Sequence, residues 1–409
     1  MEALMATTTD SEEPESAPTE DQLGLLVDTL AYARERQYVG WDYGDGMSSR
    51  VLRALPVENK WLNLVVQETI KRSPLNVRPL FRVEQRRNFK GTALFAMANV
   101  TAYELTGDES YLGEARALVD WLLEAYPKGY SGFCLTHPHD LQGLHRVVTA
   151  GTPGVVGTTY GVMALLRVAA YVDGPYGDVA ETAADFVLQD LGYQEEEGIA
   201  RINYRTADTG GHYTLNANAL GARLLIDLYE RTGKQELRDA SRKILRYVAS
   251  EQTDVGGWYY RDPPSASHLS MDSHHNGFII ESFQRYRAVT GSTAFDDVLE
   301  TALQFYRDVL FEPSGAPNFE EDRAYPRDIH AAAQGILVFT YAGDLAFARR
   351  ILEWTRANLY AGDGRFFFRQ QRFYTKRHVL MRWCEAWMAY AISELCRAET
   401  SAPAGAPQR

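Results

Sequence analysis

Two short segments of the sequence combine an aspartate and a histidine at the same spacing. Asp272 precedes His274 by two residues, and Asp328 precedes His330 by two residues. Carboxylates and imidazoles are the side chains that most often transfer protons near neutral pH. Each aspartate also stands where a predicted helix begins, so helix capping is its alternative role, although capping does not explain the histidines. We therefore predict that these four residues surround the reacting atoms of a substrate.

The histidines are distributed unevenly along the chain. None of the nine occurs before residue 137, and all lie in or beside long loops that precede predicted helices: His137, His139, His145, His212, His268, His274, His275, His330 and His378. Long loops in a compact domain are usually functional when they are not disordered. The distribution predicts one site built from these loops, with His275 binding the substrate beside His274.

Cationic and aromatic side chains of the same loops are predicted to bind the substrate. A basic cluster at residues 86–90 suits an anionic ligand, with a solvated basic patch as the alternative. Arg327 could hold a carboxylate through a bidentate contact. Arg382 and Glu385 are three residues apart, which predicts an intrahelical salt bridge. The complete predicted binding set is Arg86, Arg87, Lys90, Trp258, Tyr260, His275, Tyr325, Arg327, Tyr374, His378 and Arg382.

The neighbouring histidines at 137–139 and 274–275 raise the question of a zinc site. Adjacent positions of a helix point about 100° apart, and no third ligand follows at a matching spacing. The three cysteines are too few and too scattered for a thiolate site or a disulfide framework. The sequence also lacks a glycine-rich phosphate loop, a dinucleotide fingerprint and a nucleophile elbow. We predict neither a metal ion nor a cofactor.

Helical hairpins must position these loops. Residues 103–122, 229–248 and 286–306 resemble one another, and each combines the end of one helix, a glycine and a second amphipathic helix. Inner helices are expected to begin near residues 89, 157, 214, 275, 329 and 379, and an N-terminal helix at 22–37 or 59–72 would close the ring. The predicted fold class is an all-α (α/α)6 toroid with short strands in the loops of one rim. Glycines end the first helix of each hairpin because a helix C-terminus often needs a left-handed residue.

Composition limits the partners and the location. The net charge of −12 disfavours phosphate backbones, so no nucleic-acid partner is expected. Lysine is scarce beside arginine, which suits a high-salt cytoplasm or, alternatively, a GC-rich genome. No basic flank precedes an apolar N-terminal core, and no apolar run could span a bilayer, so we predict a cytoplasmic protein. The predicted boundaries are a disordered acidic segment at 1–20, one toroid domain at 21–398 and a disordered tail at 399–409.

Segments 40–50, 86–91, 272–278, 325–334 and 381–388 resemble haloarchaeal glycosylation proteins related to archaeal glycosylation protein Q, over about residues 38–396. The resemblance implies a toroid protein, related to glycosidases, that accompanies N-glycan assembly on S-layer glycoproteins. It also implies an acidic, hexuronic-acid-containing oligosaccharide, lipid-linked or nucleotide-linked, and peripheral contact with membrane-bound glycosylation enzymes. Two shorter stretches are similar to the toroid of glucuronyl C5-epimerases.

Three functions remain open at this point. The first is isomerisation or epimerisation of a hexuronic acid, which needs a base, an acid and a cation that holds the carboxylate, here Arg327 or Arg87. The second is glycoside hydrolysis, with Asp272 and Asp328 as the pair of carboxylates. The third is glycan binding without catalysis, because a fold does not determine a function.

Overall fold

Fourteen helices account for most of the residues that the computed structural model describes, which are 20–55, 59–143, 147–208 and 210–401. In chain order they are α1 (Glu20–Glu35), α2 (Arg50–Arg53), α3 (Lys60–Arg72), α4 (Phe89–Thr106), α5 (Glu109–Ala125), α6 (Val155–Ala169), α7 (Tyr176–Asp185), α8 (Leu215–Thr232), α9 (Gln235–Ser250), α10 (Ser273–Thr290), α11 (Asp296–Asp308), α12 (Ile329–Ala342), α13 (Leu345–Leu359) and α14 (Trp387–Ser401).

Six of these helices form a closed inner ring. Helices α4, α6, α8, α10, α12 and α14 each pack against the next, and α14 packs against α4. Helices α5, α7, α9, α11 and α13 lie outside the ring, each beside the inner helix that precedes it. Helix α1 packs on α14 and supplies the sixth outer helix, whereas α3 lies over the loops. The predicted (α/α)6 toroid is confirmed.

Burial along each helix explains the two layers. Inner helix α4 is buried around its whole circumference from Gly91 to Ala102, as expected of a helix enclosed on every side. Outer helix α9 buries one stripe at helical spacing, which includes Leu237, Ile244 and Val248. Helix α8 ends at Gly233, whose φ of 70° is left-handed, so the chain turns back there.

The strands are short and lie in the loops before the inner helices, at the end of the ring where those helices begin. This end is called the N-terminal rim. The strands are β1 (Val39–Gly40), β2 (Arg86–Arg87), β3 (Leu135–Thr136), β4 (Leu141–Gln142), β5 (Val147–Val148), β6 (Pro153–Gly154), β7 (Gln194–Glu196), β8 (Ile199–Arg201), β9 (Tyr213–Thr214), β10 (Arg261–Asp262), β11 (Arg327–Asp328), β12 (Tyr360–Gly362), β13 (Arg365–Phe366), β14 (Arg369–Gln370) and β15 (Thr375–Lys376). Several pairs join one loop to another, as β9 does with β10 and β11 with β14. They tie the loops into one layer.

The chain ends bear on the predicted boundaries. Residues 1–19 and 402–409 lie outside the described residues, so the predicted disorder is not addressed there. Helix α14 continues to Ser401, and Glu399 is buried against Arg349 with a 2.6 Å ion pair. The ordered chain therefore extends past residue 399, where the tail was predicted to start, because this ion pair holds the last helical turn. No helix in the described ranges combines the length and the apolar character needed to cross a membrane.

Candidate active site

Asp272 holds two imidazole rings at the start of α10. Its Oδ1 accepts a hydrogen bond from the backbone N–H of His275 at 3.1 Å, which caps the helix. Its Oδ2 lies 2.7 Å from Nδ1 of His275, and its Oδ1 lies 3.0 Å from Nδ1 of His274. Within the described chain, neither Nε2 atom has a hydrogen-bond partner. One buried carboxylate therefore fixes two imidazoles and leaves their outer nitrogens for a ligand.

The protonation of this group follows from its burial. Burial lowers the pKa of His275 to about 4, against the opposing effect of the Asp272 charge, so the ring is neutral at pH 7. Burial alone would raise the pKa of Asp272, but its hydrogen bonds to and electrostatic interaction with the two imidazoles lower it below its usual range. A neutral His275 that donates Nδ1–H to an ionised Asp272 has an unprotonated Nε2. That nitrogen can act as a base.

Asp272, His274 and His275 are close enough together to hold a metal ion. The ligand atoms of Asp272, His274 and His275 all lie within 4.8 Å of one another. The expectation that neighbouring helical histidines diverge was therefore wrong here, since both Nδ1 atoms converge on one carboxylate. Two nitrogens and one oxygen are donors that zinc accepts. Direct hydrogen bonding to Asp272 explains the same geometry without an ion.

His330 extends the group from the neighbouring helix α12. Its ring stacks on His274 at 4.8 Å between centroids, and the rings of Trp383 and Trp387 enclose it at 4.6 and 4.3 Å. Both ring nitrogens are buried without a hydrogen-bond partner among the described residues. Burial, with the nearby charges of His274 and Lys90, lowers the pKa of His330 well below its usual range. The ring is a neutral imidazole that the protein leaves unbonded.

Lys90 faces this group from α4, which lies opposite α10 in the six-helix ring. Its Nζ lies 5.3 Å from the centroid of Trp387 and 5.9 Å from those of Tyr160 and Phe278. No ion pair to Lys90 exists within the described residues. Burial lowers its pKa well below the usual value, the Arg382 charge adds to this effect, and Asp42 opposes it. Asp272, His274, His275, His330 and Lys90 are called the rim cluster.

A layer of aromatic rings closes the ring of helices below the rim cluster. Tyr160 of α6, Phe278 of α10 and Trp387 of α14 are buried and touch one another, with centroids 5.1 to 6.2 Å apart. Each of the three side chains is at most 2% exposed, so they form a packed layer beneath the rim cluster.

Asp42 is a site residue that sequence reasoning missed. It is buried, and its Oδ2 accepts hydrogen bonds from Nε of Arg382 and Nδ2 of Asn88, both at 2.7 Å. The predicted salt bridge between Arg382 and Glu385 is wrong, because residues 381–386 form a π-helical turn that separates them. Glu385 instead accepts a hydrogen bond from the backbone of Phe366 at 3.0 Å. The only available signal was the position of Asp42 in segment 40–50.

Asp328 positions other groups. Its Oδ1 accepts hydrogen bonds from the backbone of His330 and from the indole N–H of Trp383, both at 2.8 Å, and its Oδ2 pairs with Arg369. Both oxygens are thus engaged by the protein. This arrangement differs from the proton-transfer role predicted for Asp328, because it sets the start of α12 and the Trp383 ring.

Several predicted binding residues point away from the rim cluster. Arg327 alternates with Asp328 along β11, so it faces the outer layer, where it pairs with Glu312 and lies over the rings of Tyr325 and Trp354. Neither Arg327 nor Tyr325 lies where it could bind a substrate carboxylate beside the rim cluster. Trp258 packs in the core, where it stacks on Phe283 and its indole N–H donates to the carbonyl of Val248.

The basic residues of β2 contact neighbouring loops. Arg86 pairs with Glu84 at 2.6 Å and donates to the carbonyl of Pro138. Arg87 donates to the carbonyl of Gln37 at 2.7 Å and covers the ring of Trp121 on an outer helix. These contacts tie loops together, and none of them reaches the rim cluster.

The remaining predicted residues lie on the N-terminal rim. Tyr260 contacts His275 and His268, with centroids 4.4 and 5.0 Å apart, and lines the site. His378 is buried and stacks on Phe368, whereas Tyr374 lies exposed at the tip of the β14–β15 hairpin. Arg382 donates a hydrogen bond to Asp42, and the charges of both residues act on Lys90. His145 falls outside the described residues.

A cavity of about 680 Å³ opens at the opposite end of the ring from the rim cluster, where the inner helices end. Its walls carry buried ion pairs, and none of its lining residues is a histidine. Ion pairs with N–O distances of 2.5 Å join Arg167 to Glu394, Arg223 to Glu281, and Arg285 to Asp227.

Comparison with known proteins establishes the fold. No model of a protein family matches the chain, and no curated protein matches it. Among solved structures, an inactive variant of an α-1,6-mannanase of Salegentibacter, in complex with mannotriose, aligns with a TM-score of 0.61, 12% identity, and coverage of 92% of this chain and 100% of that chain. A cellobiose 2-epimerase of Bacillus thermoamylovorans aligns with a TM-score of 0.60, 14% identity, and coverage of 76% and 88%. An unsaturated glucuronyl hydrolase of Bacillus sp. GL1 aligns with a TM-score of 0.59, 14% identity, and coverage of 92% and 96%.

At these identities the likeness defines the class of fold alone, the (α/α)6 toroid that this chain shares with glycoside hydrolases and sugar epimerases. None of these matches supports the resemblance to archaeal glycosylation protein Q.

Proposed function

We propose that the protein is a sugar isomerase or epimerase whose rim cluster moves a proton to and from a carbon atom of the sugar. The observation that carries this proposal is the group of three imidazoles at the start of α10 and α12, with Asp272 fixing two of them and Lys90 on the opposite side. The solved structures that share the fold include a cellobiose 2-epimerase and a D-mannose isomerase.

The chemistry needs a base, an acid and a group that stabilises negative charge. Nε2 of His275 is an unprotonated nitrogen held by Asp272 and can remove a proton from the carbon beside a carbonyl or carboxylate. His330 and His274, from neighbouring helices, can return a proton from another direction. The Lys90 amine can donate to the oxygen that becomes negative, where removal from water strengthens the interaction.

Hydrolysis is the second candidate and is less well supported. A glycosidase needs one protonated carboxyl group with a raised pKa and a second carboxylate across the bond. The pKa values of Asp272 and Asp42 are both lowered by their cationic or imidazole partners, although burial opposes this effect. Asp328 is engaged by Arg369 and Trp383. Burial raises the pKa values of Asp45 and Glu385, but Asp45 pairs with Arg78 and Glu385 accepts a hydrogen bond from the backbone of Phe366. Neither carboxyl group has a hydrogen bond or ion pair to the rim cluster in the described chain.

The finer proposal concerns the sugar. Lys90 has no ion-pair partner in the described chain. A hexuronate bound beside it would favour the protonated amine, so Lys90 can hold the carboxylate of a hexuronic acid within an oligosaccharide precursor. A role in protein N-glycosylation, at an S-layer glycan with a lipid or nucleotide carrier, rests only on the sequence resemblance. The same resemblance underlies contact with glycosylation enzymes.

The test is proton exchange followed by NMR in D2O. The protein is incubated with D-mannose, cellobiose and a glucuronate-terminated oligosaccharide. We expect deuterium at the carbon beside the carbonyl or carboxylate of one of them, together with a new epimer or isomer. His275→Asn and His330→Asn should abolish exchange in a folded protein. New reducing ends without deuterium exchange would establish hydrolysis. Binding of the sugar without either reaction would show that the protein binds glycans and does not process them.

A further inference from the structure

Positive charge is concentrated in two segments of an otherwise acidic chain. Residues 50–90 contain ten basic and three acidic residues, and residues 365–382 contain six basic residues and no acidic one. The whole chain nevertheless has a net charge of −12. Arg78, Lys376 and Arg382 are buried, and Arg50, Arg53 and Arg86 share one partner, Glu84. The exposed excess of positive charge is carried by Lys60, Arg82, Arg372 and Arg377, and it suits a negatively charged partner.

The two segments meet at the opening of the site. Nζ of Lys376, in β15, donates hydrogen bonds to the carbonyls of Lys71 and Arg72 at the end of α3, at 3.3 and 2.8 Å. Nζ of Lys71 lies 4.9 Å from the ring of Tyr43, which lies 4.3 Å from the ring of Trp383. Trp383 in turn contacts His330. The basic segments therefore form one surface beside the rim cluster.

The same surface exposes large apolar side chains. Phe373 at the hairpin tip is 88% exposed, Leu75 and Leu80 are each 75% exposed, and Trp61 and Val65 on α3 are each 62% exposed. Helix α3 already buries its other face, including Val66 and Ile70, in a small core of its own. Scattered exposed apolar residues are ordinary, but several within one basic region mark an interaction site.

We infer that this basic apolar surface, formed by α3, residues 73–82 and the β14–β15 hairpin, binds the headgroup region of an anionic lipid membrane. Arginine and lysine side chains are attracted to acidic headgroups, and aromatic and aliphatic side chains enter the acyl boundary. The exposed residues Leu75, Leu80 and Val65 favour lipid over an acidic glycan, because aliphatic side chains gain little from a solvated polyanion. Binding would turn the opening of the site toward the membrane surface.

The inference does not depend on the proposed reaction, and its test needs no activity. The full-length protein is sedimented with vesicles of phosphatidylcholine alone or mixed with an equal part of phosphatidylglycerol. We expect binding to the mixed vesicles only, weakened by added salt. Phe373→Ser combined with Leu75→Ser should reduce partitioning more than about tenfold. Arg372→Gln should reduce it roughly fivefold.

Matched control variants distinguish binding through this surface from non-specific adsorption to vesicles. Val255 is 57% exposed in the loop after α9, and Arg246 is exposed on α9, both outside the two basic segments. Val255→Ser and Arg246→Gln should leave partitioning unchanged. Equal binding to neutral vesicles, binding that survives the Phe373→Ser and Leu75→Ser changes, or binding to a soluble acidic polysaccharide in place of vesicles would overturn the inference.

Discussion

The two ends of the helical ring treat buried charge differently. At the end where the inner helices terminate, arginine and carboxylate side chains pair across neighbouring helices, as Arg223 does with Glu281 at 2.5 Å. The N-terminal rim also holds a buried ion pair, between Arg382 and Asp42 at 2.7 Å, but Lys90 has no ion-pair partner in the described residues, and both nitrogens of His330 are buried without a hydrogen bond.

This difference separates structure from function. A buried polar group without a partner costs free energy, so natural proteins keep few of them and each calls for an explanation. We interpret the ion pairs of the opposite end as stabilising the ring. Under the proposed function, the missing partner of Lys90 and His330 is a ligand.

Replacing Asp272 should have the largest effect on the N-terminal rim. Asp272→Asn should lower turnover about 10²–10⁴-fold, because the amide nitrogen cannot accept a hydrogen bond, so one of the two imidazoles loses its partner and its orientation. Folding should persist, since asparagine caps a helix as well as aspartate does. Asp108→Asn is the matched control, because Asp108 caps outer helix α5 through Ser110 at 2.8 Å. Normal turnover of Asp272→Asn would remove the rim cluster from catalysis.

Replacing Glu281, at the opposite end of the ring, should lower the stability of the protein instead of its turnover. Glu281→Leu leaves Arg223 buried without its partner and should lower the free energy of unfolding by about 3–5 kcal/mol. Turnover per folded molecule should be kept, as measured by urea denaturation beside the activity assay. Glu230→Leu removes an exposed partner of Arg285 and should cost only about 0–1 kcal/mol. A stable but inactive Glu281→Leu protein would show that the reaction takes place at this end of the ring.

Acid should destabilise the N-terminal rim first. Burial lowers the pKa of His137 to about 3 and those of His139, His275 and His378 to about 4, below the value of 6.5 expected when unfolded. The unfolded chain then binds more protons between those values, so stability present above pH 6.5 is lost as the pH falls toward 4. Each histidine contributes up to about 1.4 kcal/mol per pH unit.

Urea midpoints measured across this pH range give the test. His139→Gln, which can keep the bond to Ser48, should reduce the slope relative to the unmodified protein. Equal slopes for the two proteins would contradict the assignment of neutral buried histidines.

Replacing Lys90 should produce the smallest change in stability, with the opposite sign. Lys90→Met removes an unpaired amine from its aromatic surroundings and should raise the free energy of unfolding by about 1 kcal/mol, while turnover falls at least tenfold. Lys234→Met, at an exposed position before α9, serves as the control. A less stable Lys90→Met protein with normal turnover would show that Lys90 is structural.

The fold could be predicted because its signals are local. Apolar spacing and turn glycines such as Gly233 specify each hairpin, and closure follows once the last helix needs a partner. The sequence could not choose between helices 22–37 and 59–72 for that partner, since both have an amphipathic pattern. Only packing shows that α1 fills the place and that α3 covers the loops.

The site was only partly predictable for physical reasons. Asp272 and His330 come together because consecutive inner helices begin side by side, which the repeat implies. Arg327 was placed on the wrong side because its two-residue strand alternates its side chains with Asp328. The π-helical turn that directs Arg382 to Asp42 has no sequence signature, and neither does a long-range pair between residues 42 and 382.

The aromatic layer of Tyr160, Phe278 and Trp387 separates the rim cluster from the cavity at the opposite end of the ring. If the rim cluster binds a sugar chain, that chain cannot thread along the axis of the ring, so it must enter and leave from the same side. Under the proposed function we therefore expect the protein to act on the ends of sugar chains and to leave internal units untouched.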